Sequence, residues 1–226
     1  MTAADSIAVR AARILLETGA VGAMTDKPFI FTSGWASPVY TDCRRLISFP
    51  RARAALMAMA VEKLQAEAGV ECFDAVAGGE TAGIPYAAWL SERLMLPMLY
   101  VRKAPKGFGR NAQIEGRFAD GDRVLLVEDL ATDGASKARF VEALRKAGAV
   151  VDHAFVVFFY GVFPQAEAAL RDIGISLHAL ATWRDVLPEA KARGSFEPGV
   201  MREVERFLAD PLAWSAAHGG KSAAGG

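Results

Sequence analysis

Val124-Leu125-Leu126-Val127-Glu128-Asp129-Leu130-Ala131-Thr132-Asp133-Gly134-Ala135-Ser136 is the stretch on which the fold turns. Its consecutive apolar residues 124–127 read as a strand buried on both faces, the signature of a parallel sheet. Two acids follow, then small and polar residues leading into a helical pattern over 136–147. Open α/β sheets bind ligands beyond the carboxyl ends of their strands, so the residues after the apolar run are the candidate site. Adjacent carboxylates there can accept hydrogen bonds from neighbouring sugar hydroxyls. Thr132, Asp133, Gly134, Ala135 and Ser136 supply hydroxyls and backbone N–H groups at a helix N-terminus, where a phosphate is favoured. A bare acid pair would be solvated strand-end charge; the ordered arrangement points instead to a ribose 5′-phosphate.

Working outward, apolar runs alternate with helical patterns over 73–77, 84–94, 98–101, 124–127, 136–147, 150–160, 165–173 and 175–181. Such alternation predicts βαβ units and an α/β fold, with helices flanking a central, mostly parallel sheet. Upstream, a helical stripe over 6–16 starts at a capping Asp5 or Ser6, and a second helix is expected over 51–68, stopped by Gly69. Between them Phe29, Ile30 and Phe31, a Gly- and Pro-bearing turn and the extended piece 39–43 read as a hairpin. The chain of 226 residues is expected to form one domain, in which residues 1–50 make a small N-terminal element and the Gly/Ala/Ser-rich residues 219–226 a disordered tail.

Lys+Arg and Asp+Glu each number 26, so no global attraction to nucleic acid or anionic membrane exists, and any anion site must be local. The longest apolar run, 154–163, falls short of the ~20 residues a membrane helix needs. Cys43 and Cys72 lie far apart, without a CxxC partner or a His close in sequence, which speaks against a zinc site or disulfide and for free thiols in a cytoplasmic protein. His153, His178 and His218 fall in no ligand or triad pattern and read as satisfied or exposed imidazoles. Arg184-Asp185 reads as a surface or interface pair.

Two further segments belong with the acid pair. Arg102, Lys103, Lys106 and Arg110 follow a predicted strand among Pro105, Gly107 and Gly109, which suits a cationic loop over an anion. Ala77-Gly78-Gly79-Glu80-Thr81-Ala82-Gly83-Ile84-Pro85 leaves two readings open: backbone amides approaching an anion, or close strand-to-helix packing. No Gly-Lys-Ser/Thr follows a Gly-rich loop and no G-x-G-x-x-G follows a strand, which excludes a Walker loop and a dinucleotide fingerprint.

The 124–136 segment resembles the signature with which type I phosphoribosyltransferases bind phosphoribosyl diphosphate (PRPP). Arg102, Lys103, Lys106 and Gly109 are similar to the R-K-x-x-K-x-H-G catalytic loop of the orotate phosphoribosyltransferases, with Phe108 at the His position. Residues 77–85 resemble the family's diphosphate loop, which ends in G-I-P and often carries a cis peptide, here expected at Glu80-Thr81. Phe31-Thr32-Ser33-Gly34-Trp35-Ala36-Ser37-Pro38-Val39-Tyr40 resembles the hood that these enzymes fold over the pyrimidine. The resemblance runs from the first helix through His178, and it is to the bacterial orotate enzymes.

The resemblance implies transfer of the phosphoribosyl group from PRPP to N1 of orotate, giving orotidine 5′-monophosphate and diphosphate in pyrimidine synthesis. Lys103, Lys106 and Arg102 would act in catalysis. Glu128, Asp129, Thr132, Asp133, Gly134, Ala135, Ser136, Glu80, Thr81, Ala82 and Gly83 would bind PRPP, and Thr32, Ser33, Tyr40, Thr41 and Thr132 orotate. The family often contacts orotate with a Lys at the Thr32 position and an Arg near the Tyr160 position. Neither is present, which leaves Arg44 or backbone N–H groups for the carboxylate. Mg²⁺ would arrive mainly on the diphosphate, with no protein metal site, and a homodimer would lend each lid to the neighbouring site. A purine phosphoribosyltransferase, which should lack the hood, and a PRPP-sensing regulator without turnover are the alternatives.

Overall fold

Ser6 opens the first helix, α1 (Ile7–Glu17), by accepting the Val9 N–H at 3.3 Å, so the cap falls to Ser6 among the described residues. The computed structural model describes residues 6–24, 26–31, 33–107, 113–132 and 135–222, without the side chains of 135, 136, 164, 165 and 167. After α1 come the short strands β1 (Val21–Ala23), β2 (Phe29–Ile30), β3 (Ala36–Ser37) and β4 (Val39–Thr41). The expected hairpin forms between β2 and β3. The extended piece, however, turns away at Pro38, and β4 pairs antiparallel with β1, Val21 opposite Thr41. A 3-10 turn, Cys43–Ser48, then leads into α2 (Pro50–Glu67), whose Pro50 takes the first-turn position where a missing N–H costs nothing.

The rest of the chain builds the α/β body from β5 (Ala75–Gly79), α3 (Gly83–Leu94), β6 (Met98–Val101), β7 (Ile114–Glu115), β8 (Val124–Ala131), α4 (Ala135–Lys146), β9 (His153–Phe159), α5 (Pro164–Asp172) and β10 (Ser176–Thr182). The sheet order is β10-β9-β8-β5-β6-β7, parallel except for the antiparallel edge strand β7. From β5 the chain moves outward to β6 on one side and returns to β8 on the other. The order therefore reverses between β5 and β8, where an open sheet leaves a crevice at its carboxyl edge.

β8 is longer than the apolar run alone suggests, for it continues through Ala131, with Glu128, Leu130 and Ala131 paired to β9. Strand alternation then sends the two acids to opposite faces. Glu128 shares the face of Val124 and Leu126, which pack with Phe140, Val141 and Leu144 of α4; Asp129 shares the face of Leu125 and Val127, which pack with Tyr86, Ala87 and Leu90 of α3.

Three helices beyond β10 do not stand out in the sequence: α6 (Trp183–Arg193), α7 (Pro198–Ala209) and α8 (Pro211–Ala217). Arg184-Asp185 is a helix start, because Asp185 accepts the Thr182 N–H at 2.8 Å in a capping box. α8 braces the N-terminal element, where Ser215 Oγ accepts the Ala36 N–H at 3.0 Å. Disorder is predicted from 219 onward. Within that stretch, Gly220 donates to Ser215 O of α8 at 2.8 Å and Lys221 to Gly34 O of the N-terminal element at 2.9 Å. Residues 223–226 lie outside the described residues.

Candidate active site

Glycine shapes the floor. A Cβ on Gly79 would stand 2.0 Å from Glu128 Oε1 and 2.7 Å from the Phe140 ring, and one on Gly83 would stand 2.4 Å from the Val127 carbonyl oxygen. Close strand-to-helix packing is thus one reason for the glycines of 77–85, and the same absence of side chains leaves room for the Glu128 carboxylate at the end of β5. The Glu80-Thr81 peptide is cis, where the resemblance places it. The Glu80 carboxylate accepts the Lys103 N–H at 2.7 Å, tying this loop to the base of the cationic loop.

Glu128 does not face the crevice alone. Lys137, on the first turn of α4, is only 3% exposed and donates to Glu128 Oε2 at 3.0 Å and to the Leu130 carbonyl at 2.5 Å. The sequence gives no sign of this lysine's role, since one cation inside an amphipathic helix carries no signal of what it faces. Asp129 has different neighbours. Burial and the Glu128 carboxylate push its carboxyl up to about 6, against the pull of Lys137 and Arg44. Cys43, fully buried nearby, has its thiol pushed well up by burial, with Asp129 and Asp42 adding.

The hood forms the opposite wall. Tyr40 packs at 5.6 Å on Phe29 and 6.4 Å on Phe31, and Phe31 meets Tyr160 edge-on at 5.5 Å. Tyr160 is itself buried, and its hydroxyl accepts the Thr41 N–H at 3.2 Å. Tyr160 therefore anchors the hood strand β4. Thr41 Oγ1 is buried and has no hydrogen-bond partner among the described residues. Arg44 reaches up beside it, held by Asp42 Oδ1 and the Tyr40 hydroxyl, each at 3.1 Å.

These walls enclose a cavity of about 410 Å³ at the carboxyl ends of β5 and β8. Of the residues singled out in the sequence, it brings together Tyr40, Thr41, Arg44, Glu80, Thr81, Ala82, Lys103, Glu128 and Asp129, and it adds Asp42, Leu130, Arg139 and Phe140. Others are not in its lining. Arg102 pairs with Glu115 at 3.2 Å and exchanges hydrogen bonds with Gln113; Lys106 is exposed; Gly83 is buried beneath Val127; Ser33 lies in the turn before Gly34; and Thr132 is half-buried past the end of β8. Thr32, Phe108, Gly109, Arg110, Asp133 and Gly134 fall outside the described residues, as do the side chains of Ala135 and Ser136. The lining offers carboxylate and hydroxyl oxygens, and no His/Cys/Asp/Glu group among the described residues is placed to hold a metal ion. Oxygen donors of this kind are the ones that hard divalent cations take.

A sheet reversed at this crevice, acids on the strand beside it and a hood closing over the top define a type I phosphoribosyltransferase. No family model matches the chain. It is 58% identical over 92% of its length to the orotate phosphoribosyltransferase of Dinoroseobacter shibae, of which it spans 92%. It also superposes on the orotate phosphoribosyltransferase of Aeropyrum pernix at a TM-score of 0.70 and 34% identity, over 80% of this chain and 98% of that one. The Leishmania donovani UMP synthase aligns at a TM-score of 0.75 and 28% identity over 89% of this chain but 42% of its own longer one. The chain belongs to the orotate phosphoribosyltransferase family.

Proposed function

We propose that the chain transfers the phosphoribosyl group of PRPP to N1 of orotate, yielding orotidine 5′-monophosphate and diphosphate for UMP synthesis. The observation that carries this reading is one cavity with the PRPP-type acids on its floor and, on its roof, an aromatic hood bearing a cation and a hydroxyl without a partner among the described residues. The C–N bond forms as the C–O bond breaks, through a ribosyl cation and a departing anion, so the protein stabilises charge and needs no nucleophilic side chain. Glu128 and Asp129 accept from the ribose hydroxyls and set negative charge near the sugar. The loop 132–136 holds the 5′-phosphate, so that C1 faces the base. Lys103, Lys106 and Arg102, on the loop after β6, draw off the diphosphate with residues 80–83 beneath it. Mg²⁺ carried in on the diphosphate would supply charge neutralisation there, while Lys103, Lys106 and Arg102 bind the departing anion. Closure of the cationic loop excludes water.

On the base side, Thr32, Ser33, Tyr40, Thr41 and Thr132 frame the pyrimidine, and Arg44 takes its carboxylate. Tyr160 is committed to holding Thr41, which leaves Arg44 as the hood cation in the lining. Arg44→Ala should raise KM for orotate at least about tenfold, the loss expected for a charged hydrogen bond, while KM for PRPP stays put. Free Cys43 and Cys72 suit a cytoplasmic setting. The chain acts as a homodimer in which the exposed part of the loop after β6, with Lys106, serves the neighbouring site while Lys103 lines its own. Mixing Lys106→Ala with Asp129→Ala subunits then restores activity; no recovery despite subunit exchange would place each loop over its own site.

The deciding assay follows orotate absorbance after adding PRPP and Mg²⁺, in parallel with adenine, hypoxanthine and uracil. Consumption of orotate alone supports the proposal. Consumption of a purine instead, or PRPP binding without turnover of any base, overturns it.

A further inference from the structure

At the opposite end of the sheet from the cavity lies a line of titratable groups that the transfer reaction does not use. Cys72, half-buried in the turn before β5, has its Sγ 3.8 Å from His153 Nε2. His153 opens β9, and its Nδ1 lies 2.9 Å from His178 Nε2 on β10. His178 Nδ1 in turn lies 2.7 Å from Glu67 Oε2, at the end of α2. The imidazoles are nearly parallel at 19°, and Phe73 meets His153 edge-on at 5.4 Å. Residues far apart in sequence thus form one hydrogen-bonded row.

The row has a direction. Although burial pushes the Glu67 carboxyl up, hydrogen bonds from Lys63 and His178 outweigh it and hold the acid ionised, so it only accepts. His178 Nδ1 must then carry a proton. With both rings neutral, His178 Nε2 accepts from His153 Nδ1–H, and the free lone pair of His153 Nε2 points at the Cys72 thiol. Burial and His178 lower the His153 imidazole, which keeps that lone pair available near neutral pH. The other charges felt here are Asp152 beside His153, Glu71 on the turn itself, and Arg123, paired with Asp74 and close enough to sense Cys72.

We infer that Cys72 is a histidine-assisted nucleophilic thiol and a modification site for low-molecular-weight disulfides. In the step, His153 Nε2 takes the thiol proton as Cys72 sulfur attacks one sulfur of the disulfide. The new S–S bond forms as the old one breaks, and the departing thiolate takes the proton back from His153. The Cys72 thiol is oxidised to a mixed disulfide, and the reagent is reduced to one free thiol. Cys43, fully buried, is the internal control.

The test incubates the folded chain with oxidised glutathione and follows adduct formation by intact mass and peptide mapping, from pH 6 to 9. One adduct is expected, on Cys72, forming at least about tenfold faster at pH 7 than with free cysteine, and slowed about tenfold by His153→Gln. Glu67→Gln, at the exposed end of α2, should slow it less and move the pH–rate midpoint, which a merely structural row would not do. If His153→Gln fails to fold, Glu67→Gln carries the test alone. No adduct on Cys72, or a rate and pH profile equal to free cysteine and indifferent to Glu67→Gln, overturns the inference.

Discussion

The two walls of the cavity are made in different ways. The floor is packed: Gly79 and Gly83 admit no Cβ, and Glu128 is clamped by a lysine that solvent hardly touches. The rim is exposed: Arg44 faces water, held by Asp42 and Tyr40, and beyond the lining Lys106 and the Arg102–Glu115 pair lie at the surface. Buried charges are costly to leave unpaired, whereas exposed ones are cheaply rearranged. A packed floor can hold a ligand in one position, and an exposed rim can rearrange around it. Substitutions in the floor should cost stability, and those in the rim should cost rate.

The largest effects test the floor. Lys137→Met leaves the Glu128 carboxylate buried without its cation, and about 3 kcal/mol of unfolding free energy should disappear in urea titrations. Gly83→Ala drives a methyl into the Val127 carbonyl and should cost a similar amount, about 3 kcal/mol. If either variant is as stable as the parent, the floor is looser than its packing implies. At the rim, Lys103→Ala and Lys106→Ala should lower kcat by ~10² with the melting temperature almost unchanged, the pattern of a contact made only in the transition state. Steady-state rates with saturating PRPP would reveal the opposite pattern if these lysines were structural.

Asp129 joins the two walls and supplies a pH test. Its carboxyl sits at about 6 instead of the ordinary 3.8, so the folded chain holds this proton more tightly than the unfolded one. The stability it contributes is therefore present at low pH and lost as pH rises through 6. Asp129→Asn should thus be the more stable protein above pH 6, by an amount that fades below about pH 4. In the parent, KM for PRPP should climb as pH falls below 6, because the neutral acid is a poorer acceptor for the ribose hydroxyls. The smallest effect belongs to Glu115→Gln: removing an exposed partner of Arg102 should change stability by less than about 0.5 kcal/mol.

What the sequence disclosed follows the same division. The run 124–127 and the helices at 51–68 and 84–94 were legible because buried strands and helices must repeat apolar residues at set intervals, and the structure moves their ends by no more than a few residues, save where β8 runs on through the acids. Lys103, Glu128, Asp129 and Tyr40 were legible because breakers, charges and aromatics stood in a recognisable order. Lys137 was not: its role comes from a turn of α4 folding back over β8, a tertiary fact with no local signature. The pairing of β4 with β1, the brace of Ser215 on Ala36 and the row from Cys72 to Glu67 likewise join residues distant in sequence, which periodicity cannot link.

The central claim is that the crevice beside β8 receives the phosphorylated sugar, and calorimetric titration of PRPP with Mg²⁺ into the parent and Asp129→Ala proteins tests it most directly. The parent should saturate at one PRPP per chain, and Asp129→Ala, folded to the same melting behaviour or better, should bind at least about 100-fold more weakly, as expected when a buried acceptor for charged or polar ligand groups is removed. Equal affinity in the two proteins would contradict the account.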